Sequence, residues 1–198
     1  MVLSVMILIF AYLMGSVSSA VLVCKALHLE DPRNVGSGNP GATNVLRLHG
    51  KKAAFLTLLG DSLKGFIPVM IAHALGVSDL VVALTGLCAF SGHLLPVFFG
   101  FRGGKGVATL IGVLLGTSWL LGLAFIITWL LMAALTRYSS LSALTAAALN
   151  PLYAYFLLPS TDYVVVFSVM TIILFWRHQA NIRNLFRGKE TKIRLNKY

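Results

Sequence analysis

Charge is scarce in this chain, and acidic charge is nearly missing. Only 11% of the 198 residues are Asp, Glu, Lys or Arg, and six acidic residues stand against sixteen basic ones. Soluble domains run to about a quarter charged and about half apolar residues. Here 58% of residues are hydrophobic and the mean hydropathy is +0.86. That balance excludes an ordinary soluble domain and predicts an integral membrane protein. Cysteine is also scarce. Cys24 and Cys88 sit at or in apolar segments with no metal-ligand spacing, so both read as small core residues and imply no disulfide. The first apolar run, Val2 to Val23, lacks a basic leader and a small-residue cleavage site, which makes it a retained span and not a signal peptide.

Several kinds of catalytic equipment are missing as well. The five histidines, His28, His49, His73, His93 and His178, form no metal-type cluster, and none is followed four residues on by Asp. There is no Asp-rich metal motif and no Gly-x-Ser-x-Gly nucleophile elbow. An enzyme built from what remains relies on anion pockets and an already activated substrate, so neither metal nor cofactor is expected.

What charge exists is placed with a strong bias. The net charge of +10 suggests nucleic acid at first sight. However, the basic residues fall between apolar runs: Lys25, Arg33, Arg47, Lys51 and Lys52, then Lys64, then Arg102 and Lys105, then Arg137. The remainder lie in the tail from Arg177 through Arg183, Arg187, Lys189, Lys192 and Arg194 to Lys197. Two connections, Gly76–Asp79 and Pro159–Asp162, have no Lys or Arg at all. This is the positive-inside pattern. It assigns the charge to topology and to membrane lipid, with no nucleic-acid partner.

Spans follow from that alternation. They are expected at about Val2–Val23, Ala53–Leu75, Leu80–Phe98, two short passes within Val107–Leu135 breaking near Gly116-Thr117-Ser118, then Ser139–Leu158 and Tyr163–Trp176. The expected fold is all-α with seven transmembrane helices, N-terminus out and C-terminus in. Five spans is the alternative. Residues 1–198 form a single membrane-embedded domain with no internal repeat.

Three polar constellations interrupt the hydrocarbon. The first, Gly36-Ser37-Gly38-Asn39-Pro40-Gly41-Ala42-Thr43-Asn44, is rich in small residues whose backbone N–H groups can converge on an anion. Arg47 follows one helical turn after Asn44 and offers a fork for phosphate oxygens. The glycines match a dinucleotide fingerprint formally, but that pattern needs a βαβ unit, which has no place here. The second is Gly60-Asp61-Ser62-Leu63-Lys64-Gly65, where Asp61 and Lys64 share a helix face inside a span. Its readings are a functional site or an ion pair that ties helices together. The third runs from Gly92-His93 to Gly100-Phe101-Arg102-Gly103-Gly104-Lys105-Gly106. It fails the Walker pattern, since Phe99 replaces the first Gly and Gly106 the Ser or Thr, yet it still presents Arg102 and Lys105 before a helix N-terminus. His93 reads as a base or as an interhelical hydrogen bond. Further on, Arg137-Tyr138-Ser139-Ser140-Leu141-Ser142 opens one span and Arg177-His178-Gln179-Ala180-Asn181 follows the last. There His178 and Asn181 stand one turn apart, and the stretch beyond Arg187 reads as a surface segment on anionic lipid.

These motifs, in this order and over essentially the whole chain, resemble the signatures of the bacterial acyl-phosphate:glycerol-3-phosphate acyltransferases (PlsY). Arg102 stands where that family often has Lys. The resemblance implies transfer of a fatty acyl group from acyl phosphate to the sn-1 hydroxyl of glycerol 3-phosphate, giving lysophosphatidic acid and phosphate. This is the first step of phospholipid synthesis, at the cytoplasmic face of the bacterial inner membrane. The implied partners are acyl phosphate, glycerol 3-phosphate, membrane lipid and the acyl-phosphate-forming enzyme. Under this reading Ser37, Gly38, Asn39, Gly41, Thr43, Asn44, Arg47, Lys64, Arg102, Gly103, Gly104 and Ser140 bind substrate or phosphate. Lys105, His178, Asn181 and Ser142 are catalytic, and Asp61 and His93 support them. The base is His178, His93 or a phosphate oxygen of a substrate, and the sequence does not choose. The alternative from another class is a transporter or flippase of a phosphorylated metabolite or lipid, which also needs buried cations.

Overall fold

The computed structural model describes residues 1–193. Arg194 and Lys197, the last two basic residues of the tail, lie outside the described residues. Among those described there are nine α-helices and no strand. They are α1 Val2–Gly15, α2 Ser19–Ala26, α3 Ala42–Ala74, which is broken by a kink at Gly50 (φ +83°), α4 Asp79–Leu94, α5 Val107–Thr117, α6 Trp119–Thr136, α7 Ser139–Leu157, α8 Thr161–Arg177 and α9 Gln179–Phe186.

Large apolar residues cover the outside. Leu131, Phe156, Val165 and Ile172 are all more than half exposed. A soluble fold would bury them, so they mark surface that hydrocarbon covers. Three segments, Ala42–Ala74, Asp79–Phe99 and Trp119–Thr136, are long and apolar enough to cross a membrane. The number rises to five if the bent pairs α1/α2 and α8/α9 each count as one.

The first expected span is not one straight helix. It bends by 44° between α1 and α2. Ser16 returns its hydroxyl to the Tyr12 carbonyl at 2.9 Å, and the Lys64 ammonium donates to the Val17 carbonyl at 2.7 Å. A cation from another helix thus takes the carbonyl that the break releases, which stabilises the bend. The expected break inside Val107–Leu135 does occur. Ser118, at φ −158° and ψ 127°, separates α5 from α6, and Gly122 packs against Leu115, so the chain turns there.

Helix packing depends on missing side chains. A Cβ on Gly112 would stand 1.9 Å from the Ser62 carbonyl oxygen, and one on Gly65 would stand 2.3 Å from that of Thr109. These glycines let α3 and α5 meet backbone to backbone, the usual means of close helix approach in lipid. Gly15 and Gly92 do the same for α1 and α4. Phe90, Leu110, Leu114, Phe125, Phe167 and Met170 are fully buried at the centre of the bundle.

Candidate active site

The first polar loop, residues 27–41, is turned by Gly36 and Gly38 at φ +64° and +68°. Asn44 on the first turn of α3 fixes its shape. Its Oδ1 accepts the Ser37 N–H at 3.1 Å, and its Nδ2 donates to the carbonyls of Pro32 and Val35 at 3.0 and 3.2 Å. A side chain on Gly36 would strike that amide, 2.5 Å from Oδ1. The Thr43 and Ser139 hydroxyls lie 3.1 Å apart, which ties the start of α3 to the start of α7.

The second loop, between the short 3-10 turn Val97–Phe99 and α5, has no regular structure of its own. It lies tightly against α4. The Gly104 N–H donates to the His93 carbonyl at 3.2 Å, and a Cβ on Gly103 would stand 2.1 Å from the same oxygen. Gly106, at φ +87°, faces the Phe90 ring, 2.2 Å from a notional Cβ. From α8, Arg177 donates to the carbonyls of Gly103 and Gly104 at 2.9 to 3.2 Å. Lys105 projects from this clamped backbone, and its ammonium donates to Asn181 Oδ1.

The chain beyond α9 folds back over the same place. Glu190 Oε1 accepts from Ser140 Oγ and from Asn181 Nδ2, both at 2.8 Å. The Arg47 guanidinium donates to the Thr191 carbonyl at 3.1 Å. The Ile193 N–H donates to the Arg137 carbonyl at 2.7 Å. Burial pushes the Lys105 ammonium below the usual lysine range; Glu190 opposes that shift, while Arg47 and Arg177 add to it. His178 is buried, with Nδ1 2.8 Å from the Leu174 carbonyl. A carbonyl only accepts, so Nδ1 carries the proton in the neutral ring and Nε2 is left with its lone pair.

Several of these groups line one cavity of about 730 Å³. Ser37, Asn39, Arg47, Lys105, His178 and Asn181 are among its polar walls. Its apolar walls come from α3, α5 and α6, including Leu58, Ile111, Leu115, Ile126 and Trp129. Among the described residues no group of three or more His, Cys, Asp or Glu is placed to hold a metal ion.

A cationic, hydrogen-bonding chamber joined to an apolar groove suits a phosphorylated lipid precursor, and comparison with known proteins agrees. Residues 5–188 match the family model described as glycerol-3-phosphate acyltransferase. The chain is 56% identical over 193 residues to the glycerol-3-phosphate acyltransferase of Thioalkalivibrio sulfidiphilus, covering 98% of this chain and 95% of that one. It is also 56% identical over 184 residues to the enzyme of the same name from Methylococcus capsulatus, covering 93% of each. The chain belongs to the glycerol-3-phosphate acyltransferase family. The crystal structure of PlsY (YgiH), an integral membrane glycerol 3-phosphate acyltransferase, in its glycerol 3-phosphate form, superposes with a TM-score of 0.91 at 40% identity, covering 96% of both chains. Its lysophosphatidic acid form gives 0.90 at 38% identity. Membership favours a membrane acyltransferase over a transporter.

The acyltransferase cavity gathers Ser37, Asn39, Gly41, Thr43, Asn44, Arg47, Asp61, His93, Lys105, Ser140, His178 and Asn181. Gly38, Lys64, Arg102, Gly103, Gly104 and Ser142 lie outside its lining. Lys64 is buried in an ion pair with Asp61 at 2.9 Å, and Ser142 donates to the Tyr138 carbonyl at 2.8 Å. Arg102 is exposed. Gly103 and Gly104 act through their carbonyls, and Asn44 spends its whole amide on the first loop. Glu190 was missed, since an isolated acid in a basic tail gives no signal until the tail folds back.

Proposed function

We propose that this acyltransferase takes its acyl group from acyl phosphate and delivers it to the sn-1 hydroxyl of glycerol 3-phosphate, releasing lysophosphatidic acid and inorganic phosphate. The observation that carries this reading is the continuity of the cavity. Arg47, Lys105 and Asn181 supply anion-binding groups at its polar part, and an apolar groove between α3, α5 and α6 accommodates a fatty chain. The donor is a mixed anhydride with a good leaving group, so positioning and charge stabilisation can carry the catalysis.

The hydroxyl oxygen of glycerol 3-phosphate attacks the acyl carbonyl carbon, the carbon–oxygen bond to phosphate breaks, and the phosphate leaves with the electron pair. Lys105, oriented by Asn181, and Arg47 stabilise the phosphate charge that grows in this step. His178 Nε2 takes the hydroxyl proton, because the Leu174 carbonyl holds the ring in the tautomer that leaves this nitrogen open. His93 is a weaker candidate for the base, since its Nδ1 faces Asp61 at 3.6 Å and its Nε2 lies against Gly104.

Seven passes with the N-terminus out place the Lys and Arg residues of the described connections on the side of the two polar loops. In this topology α5, about 16 Å long at 1.5 Å per residue, crosses only part of a bilayer of about 30 Å and is sheltered by its neighbours. The site then faces the cytoplasm of a bacterial inner membrane.

The test is to supply purified protein in lipid with glycerol 3-phosphate and, in parallel, palmitoyl phosphate or palmitoyl-CoA. Lysophosphatidate and phosphate are expected from the first donor alone. Equal product from palmitoyl-CoA would overturn the donor assignment. Glycerol 3-phosphate counterflow without product would restore the transporter.

A further inference from the structure

Lys105 sits on a loop that no secondary structure stiffens, yet its task requires a fixed ammonium. Two residues of one short stretch grip it at opposite ends. Asn181, on the first turn of α9, accepts from the Lys105 side chain. Arg177, four residues earlier at the end of α8, holds the backbone that leads into it. Its Nη2 donates to the Gly103 carbonyl at 3.0 Å and to the Gly104 carbonyl at 2.9 Å, and its Nε reaches the Gly104 oxygen at 3.2 Å. No other residue type offers that planar fork of donors. On the opposite side the loop is seated on the His93 carbonyl, and neither glycine has room for a Cβ. The Gly103–Gly104 backbone is therefore pinned between α4 and the guanidinium.

We infer that Arg177 is a positioning residue: by holding the Gly103 and Gly104 carbonyls it fixes where the Lys105 ammonium stands in the cavity. It does so from outside, since Arg177 is not among the residues that line the cavity. The inference rests on the role given to Lys105 under Proposed function. Lysine at 177 keeps the charge but has one nitrogen in place of the rigid fork, so it loses the second contact, from Nε to the Gly104 carbonyl, that fixes the orientation of the group.

The test compares wild type, Lys105→Ala, Arg177→Ala and the double variant, purified in lipid and assayed with palmitoyl phosphate and glycerol 3-phosphate. A misplacement of about 1 Å can cost on the order of 10²-fold in rate, so Arg177→Ala is expected to lose roughly 10- to 100-fold in kcat. Added methylguanidinium restores turnover to Arg177→Ala but not to Lys105→Ala. On the Lys105→Ala background, removing Arg177 lowers the residual rate by no more than about two-fold, because coupled residues are not additive. Arg177→Lys, which preserves charge and most of the volume, shows the same coupling and supports the inference even if the alanine variant does not fold. Losses that multiply in the double variant, or wild-type turnover in Arg177→Lys, would overturn the positioning role. An inactive wild type would defeat the functional reading itself, and full turnover by Lys105→Ala would remove Lys105 from the reaction and the inference with it.

Discussion

At the scale of single residues, the site shows one cation balanced between burial and its neighbours. Lys105 titrates below an ordinary lysine chiefly because it is buried, and the Glu190 carboxylate favours its charged form. Catalysis by a protonated Lys105 is lost as pH rises through its pKa, so the alkaline limb of kcat/KM marks that pKa. Removing the negative charge with Glu190→Gln takes away the neighbour that raises the Lys105 pKa. The alkaline limb is then expected to move to lower pH, and a pH–rate profile of the variant checks the direction. The same carboxylate orients Asn181, because an amide whose Nδ2 donates to Glu190 must turn its Oδ1 toward Lys105. None of this could be read from the linear chain. Glu190 is nine residues past Asn181 and fifty past Ser140, and only the return of the tail brings them together. That Arg47 and Lys105 stand beside glycine-rich turns, and His178 and Asn181 one helical turn apart, was visible in the sequence, and all four line the same cavity.

Elements meet through polar groups that an isolated helix would not tolerate. Asp61 and Lys64 are almost completely buried, and Lys64 also holds the released carbonyl of Val17 across the α1–α2 bend. Truncating one member of a buried pair leaves an unpaired charge, at a cost of about 3–5 kcal/mol, whereas replacing both with apolar residues is often neutral. Lys64→Met is therefore expected to lower the thermal midpoint in detergent sharply, and Asp61→Leu/Lys64→Met to recover most of it. Gly112 gives a second check. A leucine there forces α5 away from the Ser62 carbonyl, and overpacking of this kind typically costs about 1–3 kcal/mol. Both stability and turnover should fall in Gly112→Leu, as read by melting and product formation. The α5–α6 break was visible as Gly116-Thr117-Ser118 between runs that had to keep Arg137 with the other cations. The α1–α2 bend was not, because part of its cause is a lysine 47 residues away.

For the whole molecule, the fold is a bundle whose outside is hydrocarbon and whose chamber runs from cations to an apolar groove. Membrane residence followed from composition, because 58% hydrophobic residues with 11% charged leave a chain few other solvents, and helical spans followed from the long apolar runs. Where the groove runs did not follow, since Leu58, Ile111, Leu115, Ile126 and Trp129 look like any other core or lipid-facing residue in sequence. If the acyl chain lies there, bulk added deep in the groove should shorten the preferred chain. Leu115→Trp is expected to lower kcat/KM for palmitoyl phosphate more than for a medium-chain acyl phosphate, with each lost buried methylene worth about 0.8 kcal/mol. Competition between the two donors in one assay measures that ratio.

The central claim is that this chamber, with Lys105 at its polar part, is where acyl phosphate reacts with glycerol 3-phosphate. Its most direct test is the turnover of purified Lys105→Ala beside wild type, with melting curves to show that both are folded. Removing a charge-stabilising donor of this kind costs about 10²- to 10³-fold in kcat, and that loss in a folded protein is the predicted result. Lysophosphatidate formation by Lys105→Ala at the wild-type rate would contradict the account.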